Sequence, residues 1–202
     1  MLELAPDLVS ALRAAVPGGV LTEPVDLIAY GFDATFFEDR PPLVVLPTTT
    51  AQVSAVHRLA TTYRVPITPR AMGSGLSGGA IPLRHSLVLG VAKMNAILEI
   101  DEVDRVAVVQ AGVINGDLQT AVEKRGLFYP PDPSSLKQSA IGGNVAENAG
   151  GARCLKYGVT GDYVLALEVV LPDGTVIRTG GRTVKNVTGY DLRRLFTGAE
   201  GT

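Results

Sequence analysis

The sequence predicts an α+β fold, and three observations carry that expectation. Two short apolar runs flank an amphipathic segment across residues 43–68, the pattern of a βαβ unit. A glycine-rich loop, Pro69–Gly79, leads from one strand to another instead of from a strand into a helix. Further strands follow at 86–91, 97–101 and 105–110, and a hairpin closes the series at 163–179.

Taken in order, Leu4, Leu8, Leu12 and Ala15 recur at helical spacing and place a short helix over 6–15, ended by Pro17-Gly18-Gly19. Val25–Tyr30 reads as a second short helix, and 32–40 as irregular chain closed by Pro41-Pro42. Leu43–Leu46 is a strand. Thr49-x-x-Gln52 then matches a capping box, and Val53, Val56, Leu59, Ala60 and Tyr63 mark one face of the helix it opens. Val65–Thr68 is the returning strand, parallel to the first with a right-handed crossover. Asp101–Asp104 turns between the strands at 97–101 and 105–110. Asn115 or Gly116 starts a helix whose apolar face holds Leu118, Ala121 and Val122, with Gly126 suited to the left-handed position after it. Leu127–Tyr129 reads as a short strand. Tyr163–Leu171 and Thr175–Thr179 are paired strands around Pro172-Asp173-Gly174, and 191–196 is a final helical turn or two. The chain shows no internal repeat and no linker.

Composition bounds the function. A chain of 202 residues suits one domain or two small ones, and an apolar content of 46% supports a packed core. A formal charge of −2 gives no reason to expect nucleic acid or an anionic membrane as partner. No apolar run approaches the roughly 20 residues that span a bilayer. Residues 1–16 are acidic early and amphipathic, unlike a signal peptide, so a cytoplasmic protein is expected. Cys154 is the single cysteine, which leaves no internal disulfide and no multi-cysteine metal site.

Glycine is abundant, at 23 residues, and it clusters. In Pro69–Gly79 the spacing Gly73-x-Gly75-x-x-Gly78 matches G-x-G-x-x-G, and Gly79 follows. A dinucleotide fold needs a helix opening at the last glycine, so that its N-terminus faces the pyrophosphate. Here Ile81-Pro82-Leu83-Arg84 intervenes, and the next regular segment reads as a strand. The expectation is a phosphate loop built from successive backbone N–H groups without a helix, against the alternative of a flexible surface loop. Arg70 would offset anion charge. The second cluster is Pro130–Gly151, where prolines and serines precede two glycine pairs separated by a short helical segment. Its small residues let something flat and bulky approach the backbone; close helix packing is the alternative.

Five motifs in order, Pro69–Gly79, Pro131–Ser135, Ile141–Gly151, Leu155–Gly158 and Thr188–Thr202, give the chain a resemblance from about Pro41 onward. It resembles the FAD-binding domain of FAD-linked oxidases of the vanillyl-alcohol oxidase or PCMH type, and within them the glycolate oxidase D-subunit and D-lactate dehydrogenases. The resemblance implies two α+β lobes, about 1–95 and 96–202, with the cofactor between them. It implies that Pro69, Arg70, Ala71, Met72, Gly73, Ser74, Gly75, Leu76, Ser77, Gly78 and Gly79 wrap the pyrophosphate. Pro133, Ser134, Ser135, Ser139, Ile141, Gly142, Gly143 and Asn144 would lie along the cofactor. Ala146, Asn148, Ala149, Gly150 and Gly151 would come close to the flavin end.

Family members with covalently attached flavin often carry a histidine in the glycine loop, and none is present here. His57 falls on a helix, His85 lies beyond Pro82, and Cys154 reads as a small buried hydrophobe, so non-covalent FAD is expected. Gly198-Ala199-Glu200-Gly201 matches a GSEG-type segment with alanine for serine, after which the family's last strand and cap domain would follow. With the cap absent, no catalytic residue and no metal site is assigned to this chain, and a small 2-hydroxy acid would be met through that cap. The expected function is the FAD-binding portion of a glycolate or D-lactate oxidoreductase, with hydride transfer to flavin. The alternatives are a non-catalytic FAD-binding or subunit-interaction module and another PCMH-type flavin reductase, such as the cell-wall UDP-sugar reductases. Lys137, Arg153, Lys156 and Tyr157 are expected at the surface or in lobe packing, and Asp191, Arg193 and Arg194 on a solvated helical face.

Overall fold

The structure is a computed structural model that describes residues 5–202, so the helical expectation placed on Leu4 lies outside the described residues. The chain divides into two compact units. The first runs to Lys93 and takes in Val169–Ile177; the second comprises Met94–Glu168 and Arg178–Thr202.

In the first unit Pro6 opens helix α1 (Pro6–Ala15), where its missing N–H costs nothing. Leu8 and Leu12 are fully buried, each contributing about 2 kcal/mol of apolar burial. Strand β1 (Val20–Leu21), helix α2 (Pro24–Leu27), a 3₁₀ turn at Ile28–Tyr30 and strand β2 (Val44–Val45) follow. Helix α3 (Thr50–Tyr63) starts at Thr49, whose hydroxyl accepts from the Gln52 N–H. The reciprocal half of the expected capping box moves one residue back, because Gln52 Oε1 accepts from Thr48 N at 2.7 Å. Strands β3 (Ile67–Arg70) and β4 (Leu87–Gly90) complete a four-stranded sheet in the order β1-β2-β4-β3.

Both β2 and β3 run parallel to β4, so the expected βαβ strands are parallel to each other. They are not neighbours: β4 lies between them. Its four residues are all buried, which explains an unbroken apolar run at the sheet's centre. Strand β3 sits two residues later than the sequence pattern predicts, which carries it directly into the glycine loop. Leu27, Val44, Leu46 and Val88 form the core beneath the sheet.

In the second unit, strands β5 (Ile97–Asp101) and β6 (Val106–Val109) pair antiparallel, and helix α4 (Asn115–Glu123) packs Leu118 and Val122 with Val113 against them. Helices α5 (Ile141–Glu147) and α6 (Cys154–Tyr157), strands β7 (Ala166–Val170) and β8 (Val176–Gly180), and helix α7 (Leu192–Phe196) follow. Residues 127–129 form no strand. Leu127 and Tyr129 turn into the core cluster instead, and the Tyr129 carbonyl is taken by the Gln119 amide at 3.0 Å. The glycine pair 142–143 lies inside the first turn of α5 and not before it. Arg193 is half-buried and not on an open solvated face: it donates to the Val164 carbonyl at 2.9 Å and pairs with Asp191.

The tip of the β7–β8 hairpin belongs to the first unit and is fastened to α3 there. Ser54 Oγ donates to the Gly174 carbonyl, and Thr61 Oγ1 to that of Pro172 at 2.8 Å. His57 also bonds to the Pro172 carbonyl, and its burial lowers its pKa below the ordinary 6.5.

Candidate cofactor site

The glycine loop leaves β3 at its carboxyl end, the edge where parallel sheets place ligands. Gly73 and Gly78 take positive φ, +66° and +82°, which only glycine adopts without strain. Among the described residues, the main-chain N–H groups of Ala71–Leu76, Gly78 and Gly79 donate to no protein acceptor. The loop's carbonyls do bond: Gly75 accepts from Ala34 N at 3.2 Å and Gly78 from Ile81 N at 3.1 Å. Donors left open while acceptors are tied down make a surface for an anion.

Arg70 lies under this loop. Its side chain is buried, and its guanidinium donates to the carbonyls of Ala80 and Ala29, each at 3.3 Å. It stands 5.9 Å from the centre of the Tyr30 ring. A Cβ on Gly73 would overlap the guanidinium, so bare backbone is required there. Burial pulls the Arg70 pKa down, while the nearby Asp33 charge and Tyr30 work in the opposite direction. The arginine is thus a strut and a fixed positive charge beneath the loop, with two of its donors engaged by protein carbonyls. Met72 and Leu76 are exposed.

The second glycine region is built differently. Ile141 N donates to Val113 O at 2.8 Å and Gly142 N to Ala111 O at 2.7 Å. Asn144 and Ala149 also spend their N–H groups on protein carbonyls. A Cβ on Gly142 would come within 2.7 Å of the Ala111 Cβ, and one on Gly151 would overlap the Asp132 carbonyl. These two glycines serve close approach of protein to protein. Pro133, Ser139 and Asn144 are buried, Ser135 is half-buried and Ser134 exposed. The carbonyl of Ser135 holds both Gln138 N and Ser139 N at 2.7 Å. Gly143, Ala146, Ala149 and Gly150 are half-buried, and Asn148 is exposed.

Asn148 caps α5 in the left-handed conformation, and its side chain accepts from Gly161 N at 2.8 Å. Thr160 is fully buried and bonds twice to the Ala149 carbonyl, through N at 3.0 Å and through Oγ1 at 2.7 Å. Burial pushes the neighbouring Tyr129 phenol up to about 12, against a hydrogen bond with Thr160 that works the other way. The 198–201 segment reaches the same helix: Gly198 N and Glu200 N, both at 2.9 Å, take the carbonyls of Val145 and Ala146. The Val145 carbonyl also accepts from Asn148 N at 3.2 Å, so it is shared, while that of Ala146 gains a partner in the last turn.

A family model described as an FAD binding domain matches residues 41–180. The chain belongs to this FAD-binding family. The match takes in both glycine regions and the β7–β8 hairpin. The glycolate oxidase subunit GlcD of Bacillus subtilis (strain 168) is 54% identical over 176 residues, covering 87% of this chain and 37% of that protein. The D-2-hydroxyglutarate dehydrogenase of Stutzerimonas stutzeri (strain A1501) is 42% identical over 199 residues, covering 98% of this chain and 43% of that protein. A solved structure of p-cresol methylhydroxylase with substrate bound matches at a TM-score of 0.79 and 27% identity, over 95% of this chain and 40% of that one. The fold is that of a PCMH-type FAD-binding domain. The chain spans about two fifths of the length of the curated relatives it matches.

The remaining candidates lie outside the 69–79 segment of the sequence. His57 lies on α3 with its bond to Pro172, and His85 is exposed in a 3₁₀ turn at φ +56°. Cys154 is half-buried at the start of α6 and not the buried hydrophobe the sequence predicts; its Sγ lies close to Gly150, where a Cβ would meet it at 3.5 Å. Arg153 pairs with Asp132 at 3.3 Å and covers the Phe128 ring at 5.4 Å. Among the described residues no three His, Cys, Asp or Glu side chains form a metal-holding group, and no helix is long and apolar enough to cross a membrane.

Sequence reasoning missed Asn115 and Gln119. It read Asn115 or Gly116 as a helix start and gave neither amide a role, whereas the structure buries both. Their i, i+4 spacing on the same face as Leu118 and Val122 is the signal that could have found them.

Proposed function

We propose that the chain is the FAD-binding portion of a flavin-dependent oxidoreductase of small 2-hydroxy acids, of the glycolate or D-lactate kind. The observation that carries this is the set of main-chain donors of Ala71–Leu76, Gly78 and Gly79, open among the described residues, above the buried Arg70 charge. Such a surface suits a pyrophosphate, which successive N–H groups can neutralise in part without several basic side chains. The names of the relatives, a glycolate oxidase subunit and a 2-hydroxyglutarate dehydrogenase, support the substrate class.

In this reading Pro69–Gly79 grips the pyrophosphate. Pro133–Ser135 and Ser139–Asn144 border the cofactor, and Ala146–Gly151 lies toward the flavin end. The lobes divide near residue 95. Bound FAD supplies the hydride acceptor for oxidation of the hydroxyl-bearing carbon. This chain's residues bind and orient that group; they move no proton on the substrate. Attachment is non-covalent, since His57 is engaged on α3 and neither His85 nor Cys154 belongs to the glycine loop. The substrate is met through a cap domain within the remaining length of the relatives, electrons leave to a quinone or a partner subunit, and the assembly works in the cytoplasm.

The test is a flavin spectrum of the purified chain, before and after acid precipitation. A flavin band that leaves with the supernatant supports the proposal, whereas a yellow pellet contradicts non-covalent attachment and a colourless chain that takes up no added FAD contradicts the whole. A second reading, a non-catalytic FAD-binding or subunit-interaction module, is favoured by the position of both histidines outside the two glycine regions. Anaerobic addition of glycolate or D-lactate to this chain alone should bleach little or none of the flavin, because the substrate is met through the cap; bleaching would exclude the second reading.

A further inference from the structure

Helix α4 carries two buried amides that the cofactor reading does not use. Asn115 has no solvent exposure and Gln119 only 7%. Neither is apolar, so burying them costs free energy unless hydrogen bonds offset it. Their side chains make four, which with the Asn115 main chain converge on three segments.

Asn115 donates from its main chain to the Ser139 carbonyl at 2.9 Å. Its Nδ2 donates to the Pro131 carbonyl at 3.1 Å, and its Oδ1 accepts from Nδ2 of Asn144 at 3.0 Å. Gln119, one turn later, donates from Nε2 to the same Pro131 carbonyl at 2.8 Å and to that of Tyr129 at 3.0 Å. One residue therefore fixes the approach to Pro133–Ser135, the entry to α5 at Ser139, and the first turn of α5 at Asn144. The Pro131 carbonyl, held by two amides, cannot rotate without breaking both. Proline at 131 has no N–H of its own to offer, so the segment depends on its carbonyls for anchorage.

We propose that Asn115 is the positioning residue of the second glycine region, with Gln119 as its second anchor. Together they set the geometry that Pro133–Ser135 and α5 present to the cofactor. The proposal rests on the FAD-binding reading. It goes beyond it by assigning cofactor affinity to two residues that touch no cofactor. Holding a binding surface through a second layer of hydrogen bonds is what precise sites require.

The test uses the full chain with FAD. Asn115→Asp keeps the shape but removes the donor to Pro131. Gln119→Met keeps much of the volume and removes both of its donors. Val122→Ala is the matched control, weakening the same core cluster without touching the amides. FAD dissociation constants, the shape of the bound flavin's visible band and the thermal midpoint of the apo chain are measured for each. Loss of a buried hydrogen bond predicts a dissociation constant raised about tenfold in both amide variants, with an altered flavin band. Val122→Ala is expected to lower the thermal midpoint while leaving the dissociation constant within about threefold of wild type. If the amide variants lose only as much affinity as the control at equal loss of stability, the positioning role is overturned. If Asn115→Asp fails to fold, Gln119→Met decides the matter by the same comparison. A wild-type chain that binds no FAD overturns the cofactor reading itself, a different result from wild-type binding with unaffected variants.

Discussion

The two glycine regions look alike in sequence and differ in what their glycines do. In Pro69–Gly79 two glycines, Gly73 and Gly78, take positive φ, and the N–H groups of Ala71–Leu76, Gly78 and Gly79 donate to no protein acceptor among the described residues. In Pro130–Gly151 the donors of Ile141, Gly142, Asn144 and Ala149 are spent on protein, and Gly142 and Gly151 exist because backbone lies against them. The first region leaves its donors open, and the second is a packed wall. Glycine content alone does not distinguish a ligand loop from tight packing; the fate of the N–H groups does.

Substitution at the glycines breaks the comparison most directly. Gly151→Ala sets a methyl into the Asp132 carbonyl, and backbone cannot step aside as a flexible side chain can. It should cost about 3 kcal/mol or more, read as a lower urea midpoint for the chain. Gly142→Ala meets Ala111 at 2.7 Å and should cost somewhat less, about 1–3 kcal/mol. In the first region Gly73→Ala should act more on binding than on folding, because it displaces the Arg70 guanidinium from beneath the loop. Fluorescence titration should show FAD affinity reduced about tenfold or more, alongside a stability loss of about 1–2 kcal/mol from the left-handed backbone. Gly78→Ala has open space around it and φ of +82°, so it should show only the backbone cost, about 1 kcal/mol. A Gly78→Ala variant as damaged in folding as Gly151→Ala would erase the distinction between the regions.

The legible parts of the molecule were those set by local sequence. Helix α3 begins where Thr49 and Gln52 place it, and the 69–79 segment joins two strands because Pro82 forbids a helix. The sheet order was not legible, since β4 enters between β2 and β3 through its apolar surface, and nothing local specifies which neighbours it takes. The Leu127–Tyr129 segment has β-forming side chains, yet α4 captures both its apolar groups and its carbonyl. The candidate site was legible as two stretches of small residues. That Arg70 lies inside the loop, and that Asn115 ties three segments together, depends on contacts made across the fold.

A weaker test addresses the fastening of the hairpin tip to α3. The folded-state pKa of His57 lies below its unfolded value near 6.5, so the neutral ring is the form the fold prefers. Its contribution is present above that value and is lost as pH falls through 6.5 toward the folded pKa. Urea midpoints should therefore decline on acidification through this window. A His57→Gln variant should show a shallower decline there.

The central claim is that the open donors of Ala71–Leu76, Gly78 and Gly79 hold a pyrophosphate. Comparing the affinities of the purified chain for FAD and for riboflavin, which lacks the pyrophosphate, tests it most directly. Several charge-assisted hydrogen bonds predict that FAD binds at least about a hundredfold more tightly. Equal affinity for the two would contradict the account.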